Sequence, residues 1–223
     1  MLSKFTKLLA DASDPKSLAT ILRKKRLKKL LKILPKKDLI KILDVGGTAY
    51  FWDTLKFPEE ESNIQIILLN ITEQKSNNSK IKSVIGDARD LSRFTNKEFD
   101  LVFSNSVIEH LNTFEDQKNM ADEIRRVGKR YFVQTPNKLF PIEQHFFFPF
   151  FQFFPIKIQI WILTHLNLLW WKKIKSKEEA IDLISEIRLL SKKDMKILFP
   201  DSNIITERFL FLPKSIIAVK NFD

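Results

Sequence analysis

The strongest constraint on the fold is an ordered series of short β-rich runs, at 39–45, 64–70, 81–85, 99–104 and 130–134, separated by polar or helical stretches. Runs of this length, rich in Ile, Leu, Val and Phe and broken by turn residues, read as strands of a parallel sheet covered by helices. The segment 116–127 places Met120, Ile124 and Val127 at helical spacing and reads as a crossover helix between the last two. Near the C-terminus, 204–211 and 214–220 are joined by Leu212-Pro213, too short for a crossover, so they are expected to pair antiparallel and make the sheet mixed. The expected class is α/β, with a Rossmann-like, mostly parallel sheet.

At 223 residues the chain has room for one sizeable domain and little for a second, so 1–223 is read as a single domain. Its 44% hydrophobic and 29% charged residues are those of a folded protein. The absence of cysteine excludes disulfides, thiol nucleophiles, thiolate zinc sites and cysteine-held iron–sulfur clusters. Of the net charge of +11, residues 1–41 carry +10, thirteen Lys or Arg against Asp11, Asp14 and Asp38. The excess therefore belongs to an N-terminal extension, 1–37, within which leucines at helical spacing predict a basic amphipathic helix at roughly 15–34, started at Asp14-Pro15 and stopped by Pro35. The bland reading packs its leucines on the core and leaves its charges in water; the functional alternative is contact with an anionic membrane surface. Nucleic acid ranks lower, since no base-reading motif accompanies the charge. No signal peptide or spanning helix is expected, because charged residues interrupt the N-terminal apolar residues and prolines and polar residues interrupt 146–171. The expected location is the cytoplasm, with peripheral contact at the inner membrane face as the variant of that reading.

A long insertion, 137–200, follows the fifth strand and is expected to be helical after Pro155. Eight phenylalanines lie between Phe140 and Phe154. Ligands of open α/β sheets sit beyond the carboxyl ends of the strands, and the insertion begins at that edge, so it is expected to act as a lid over a hydrophobic or lipid-like acceptor. The competing reading makes the phenylalanines a small core of their own.

The residues at the strand ends are small, polar and acidic: Asp44, Gly46, Gly47 and Thr48; Asn70; Asp87 and Ala88; Ser104, Asn105 and Ser106. Neither GxGxxG nor GxxxxGK is present, which weakens pyrophosphate ligands and leaves an adenosyl ligand without phosphates compatible. "KILDVGGTAYFW", "SVIGDARDL", "FDLVFSNSVIEHL" and "RRVGKRYFVQTPNKLFPIEQHF", in this order, resemble the motifs of class I S-adenosylmethionine-dependent methyltransferases, close to the type 11 methyltransferase domain of a bacterial subfamily. The resemblance implies a seven-stranded sheet with an antiparallel last strand, and S-adenosylmethionine as cofactor. It implies that Asp44, Gly46, Gly47 and Thr48 lie beside the methionine portion, and that Asp87 and Ala88 border the adenine. It places Ser104, Asn105 and Ser106 beneath the sulfonium.

Asn70 stands where many members carry a carboxylate for the ribose hydroxyls, and Asn70→Asp is expected to keep or improve cofactor affinity. His110, His145 and Glu143 are the candidate catalytic residues, with a base needed only if the acceptor must lose a proton. His165 reads as structural, and three dispersed histidines give no metal-site signal. The alternatives to a small-molecule methyltransferase are a non-catalytic adenosylmethionine-binding module and an RNA methyltransferase. The latter is weakened by the absence of an Asn-Pro-Pro-aromatic signature at Ser104-Asn105-Ser106.

Overall fold

The computed structural model describes residues 18–35, 37–54, 63–168 and 172–221, apart from the side chains of 18, 19, 28, 32 and 54. Its centre is a seven-stranded sheet. Strands β1 (Ile40–Val45), β2 (Ile64–Asn70), β3 (Ile81–Ile85), β4 (Phe99–Asn105) and β5 (Gly128–Pro136) run parallel in the order β3-β2-β1-β4-β5. The two-stranded β6 (Ile142–Glu143) and β7 (Phe148–Pro149) lie apart from it. Strands β8 (Asn203–Phe209) and β9 (Leu212–Lys220) form the expected hairpin, and β9 pairs antiparallel with β5, which completes the mixed sheet.

Helix α1 (Leu18–Lys32) is shorter than the 15–34 read from leucine spacing, and residues 15–17 of that reading fall outside the described part. It is no mere appendage. Leu27 and Leu30 join Ile42, Leu68, Leu101 and Phe132 in the core on one face of the sheet. Arg26, only 6% exposed, pairs with Glu207 of β8 at 2.6 Å and also donates to Asn105 and Gln134 at 2.8 and 3.0 Å. A guanidinium presents several donors in one plane, so this residue fastens the helix to the ends of three strands at once.

The short α2 (Ala49–Thr54) follows β1, and the long crossover between β4 and β5 is α3 (Phe114–Val127), starting two residues before the expected 116. Thr113 caps α3, accepting from the Asp116 N–H. Met120, Ile124 and Val127 turn fully into the core on the second face, as their spacing requires. The helical rhythm is otherwise thinner than expected: the links 71–80 and 86–98 contain no helix.

The insertion adds α4 (Ile156–His165), α5 (Lys177–Ser185) and α6 (Lys192–Leu198). Phe146 and Phe151 stack at 4.2 Å between ring centroids and, with Ile162, Leu163, Ile174 and Ala180, build a third hydrophobic cluster. The phenylalanines therefore anchor the insertion to itself. Phe150, Phe153, Ile156 and Trp161 are exposed on its outside. Among the described residues, no helix is long and apolar enough to cross a membrane.

Candidate active site

The carboxyl ends of the strands form two cavities that share Gly46 and Ser106. The larger, about 450 Å³, is lined by Leu69, Asn70, Asp87, Ala88 and His110 among others. The smaller, about 210 Å³, is lined by Arg23, Asp44, Gly47, Thr48 and Asn105 among others. Nine of the ten residues assigned to the cofactor thus face one cavity or both. Ser104 lines neither: it is fully buried within β4, and its Oγ has no hydrogen-bond partner.

The loop after β1 is dictated by what lies under it. Asp44 is 1% exposed and accepts a hydrogen bond from the Trp52 indole at 2.7 Å. Burial pushes its pKa up to about 7, against the opposing pull of that hydrogen bond. Its carboxylate sits so close beneath Gly47 that a Cβ there would meet Oδ2 at 1.9 Å. At Gly46, φ is +75° and a Cβ would lie 2.5 Å from Val107. Both glycines are therefore required by the protein's own packing, before any ligand is considered. Phe51 and Trp52 pack α2 on the sheet against Phe103, whereas Tyr50 stays exposed and lines the smaller cavity.

Asn70 turns its amide to this loop, donating to the Gly47 carbonyl at 3.0 Å. A carboxylate in its place would face that carbonyl without a proton to share, so the geometry reverses the expectation for Asn70→Asp. Asp87 accepts from both the backbone and the guanidinium of Arg89, which also reaches Asp116 and holds the Asp87 carboxyl below its ordinary range. Ser106, at φ 57°, donates its hydroxyl to Gln134 at 3.0 Å and marks the ridge between the cavities.

At one end of the larger cavity the 3-10 turn Ile108–His110 sends Glu109 inward and His110 outward. Glu109 is fully buried; its Oε2 accepts from Thr135 at 3.0 Å, and Oε1 has no partner. Burial raises its pKa to about 7. His145, from the turn joining β6 and β7, meets His110 edge to face at 5.0 Å. Behind it Glu143 lies 2.7 Å from Nδ1 and accepts the backbone N–H groups of His145 and Phe146.

Burial lowers the His110 pKa, and the charge of His145 lowers it further. Burial also works to lower His145, but the Glu143 hydrogen bond and the charges of Glu143 and Glu109 outweigh it and hold the imidazole above its usual value. Of the three catalytic candidates, His110 lines the cleft, whereas His145 lines neither cavity and stands behind His110 in ring contact with it. Nor does Glu143 line either cavity. It is 2% exposed and borders a separate cavity with Phe146, so it positions His145 and meets no reacting atom. Although the sequence spacing of the histidines gives no metal-site signal, ligand atoms of Glu109, His110 and His145 all lie within 4.8 Å of one another.

Sequence reasoning set Glu109 beside His110 at the strand edge without giving it a role, and it missed Arg23 and Arg26. Arg23 reaches the smaller cavity from α1, half-buried, and makes no ion pair among the described residues. Its charge gave a signal in the sequence, but nothing there distinguished it from its exposed neighbours Lys24 and Lys25.

Residues 46–131 match the family model described as a methyltransferase domain. That match spans 86 of the chain's 223 residues, from the loop after β1 into β5. The fold of the chain is shared by a protein of Pyrococcus horikoshii at 19% identity, TM-score 0.55, over 98% of each chain. It is also shared by a structure described as a SAM-dependent methyltransferase from Archaeoglobus fulgidus, at 18% identity and TM-score 0.55, over 90% of this chain and 94% of that one. A third, described in the same words and from Methanosarcina mazei, has 12% identity and TM-score 0.53, over 87% and 98%. No curated protein matches the sequence.

The residues of the cleft fit S-adenosylmethionine by their donor set. Arg89 on the larger cavity is already paired with two carboxylates, so no cation there awaits a phosphate. The smaller cavity, by contrast, offers Arg23 to an amino-acid carboxylate.

Proposed function

We propose that this domain transfers the methyl group of S-adenosylmethionine to a small acceptor that enters beside His110. The observation that carries the reading is the pair of cavities meeting at Gly46 and Ser106, free of phosphate-binding features and flanked by a carboxylate-backed histidine pair. When bound, the cofactor supplies a methyl group already activated on sulfur, so the protein's work is alignment and exclusion of water. Asp87, Ala88 and Leu69 border the adenosine end, and Arg23 holds the carboxylate of the methionine end. Asn70 keeps the Gly46–Gly47 loop in place between them.

His110, kept neutral near pH 7, accepts a proton from an acceptor hydroxyl or amine at its ring nitrogen. Glu143 fixes the orientation of His145, which packs against His110. The acceptor in this reading is small and polar at its reactive end. A lipid-like acceptor draws little support, because among the described residues no phenylalanine of the insertion lines either cavity.

Equilibrium dialysis with labelled S-adenosylmethionine tests the placement. The wild type is expected to bind one equivalent, and Ala88→Trp, which fills the adenosine end, is expected to abolish binding while the protein stays folded. Undiminished binding by Ala88→Trp would put the cofactor elsewhere.

A further inference from the structure

Glu109, His110 and His145 offer one carboxylate and two imidazoles whose ligand atoms all lie within 4.8 Å of one another. Ligands of one transition metal, each at about 2.0–2.2 Å from it, are separated by distances of this order. Two further observations mark the cluster as built. Glu109 is entirely buried, its Oε2 occupied by Thr135 and its Oε1 left with no hydrogen-bond partner. An orphaned buried carboxylate oxygen costs on the order of 1–3 kcal/mol and calls for a partner that supplies positive charge. Glu143 lies 2.7 Å from Nδ1 of His145 and is itself clamped by two backbone N–H groups, so the imidazole is held in one orientation. A carboxylate behind a histidine and a hydroxyl behind a carboxylate are the outer contacts by which proteins orient metal ligands.

We propose that Glu109, His110 and His145 bind one divalent first-row transition cation at the end of the larger cavity. Two imidazoles with a single carboxylate favour Mn²⁺, Co²⁺ or Zn²⁺ over Mg²⁺ and Ca²⁺, which prefer oxygen throughout. Three protein ligands leave coordination positions open, and His110 lines the cavity, so the open positions face the cleft. The consequence for substrate class rests on the methyl-transfer reading: the acceptor is a hydroxylated molecule that reaches the cation through its oxygen. In that case His110 would be a ligand, and the cation would lower the pKa of the hydroxyl, whose proton passes to solvent.

The test uses the full chain, stripped with chelator and titrated with Co²⁺, with visible d–d absorption and calorimetry as readouts. The wild type is expected to bind one equivalent with the intense absorption of a four- or five-coordinate site. His110→Ala and His145→Ala are expected to lose that absorption, and Glu143→Gln to bind about 10–100-fold more weakly. His165→Ala should bind as the wild type does. His110 is exposed, so its removal leaves the fold intact and keeps the test valid even if a variant at buried Glu109 fails to fold. Absence of a wild-type Co²⁺ spectrum, or unchanged binding in both histidine variants, would overturn the site. A parallel titration with S-adenosylhomocysteine separates the two readings: cofactor binding without cobalt binding removes the metal alone, and cobalt binding without cofactor binding removes the methyl-transfer reading alone.

Discussion

The loop after β1 lines the cleft, the insertion between β5 and β8 meets it only through the contact of His145 with His110, and the two are held by opposite means. The loop is held from below by backbone geometry: Asp44 under Gly47, Val107 against Gly46, and the Asn70 amide on the Gly47 carbonyl. The insertion spends its large apolar residues on its own cluster and supports the cleft residue His110 through His145, at the turn between two short strands. Cofactor edges of open sheets are made where strands stop, so one segment can define them. An acceptor end built from distant side chains needs a scaffold, and the phenylalanines supply it.

The largest way to break this contrast is at Gly47. A Cβ would strike the buried Asp44 carboxylate and dislodge its bond to Trp52, so Gly47→Ala is expected to cost about 4 kcal/mol in urea unfolding, from overpacking and a lost charged hydrogen bond. Cofactor binding should disappear with it. Next comes Phe146→Ala, which opens the insertion cluster at a cost of about 3 kcal/mol. Since Phe146 lines neither cleft cavity, S-adenosylhomocysteine binding should survive while turnover falls as His145 loses its support. Equal loss of both would merge the two regions into one.

A smaller effect concerns pH. The Asp44 carboxyl has a folded pKa of about 7, raised by burial above its ordinary 3.8. The folded state therefore holds the proton more tightly than the unfolded chain, and the stability this gives is full below pH 3.8 and lost as pH rises through 7. In Asp44→Asn that loss is absent, and Trp52 keeps an oxygen to donate to. Unfolding at pH 5 and pH 8 should show the wild type falling by about 2 kcal/mol relative to the variant. A constant difference would mean that Asp44 is charged throughout.

The strand-end edge was legible because strand ends, glycines and small polar residues are local signals. The antiparallel hairpin was legible for the same reason, since two residues cannot cross a sheet, but its turn falls at Leu210-Phe211, and the Leu212-Pro213 read as the link belongs to β9. Glu109 shows what was not legible. Its neighbour His110 drew attention as a titratable group, but only the inward turn of one residue in a 3-10 helix separates a buried ligand-type carboxylate from a surface one. His145 and His110 are far apart in sequence, and no spacing rule joins them. Arg26 and Arg23 were hidden inside a basic run whose charge pointed outward to partners, while the fold turned one into the core and the other into the cleft. The phenylalanines misled for a converse reason, since an aromatic run announces burial without naming what it is buried against.

The most direct test of the division between cofactor edge and acceptor end is calorimetric titration of S-adenosylhomocysteine into three proteins: the wild type, Arg23→Ala and His145→Ala. Loss of a charge-assisted contact to the carboxylate is expected to weaken binding by Arg23→Ala about tenfold, roughly 1.4 kcal/mol, whereas His145→Ala should bind as the wild type does. Equal weakening in both variants, or an Arg23→Ala protein that binds undiminished, would contradict the account.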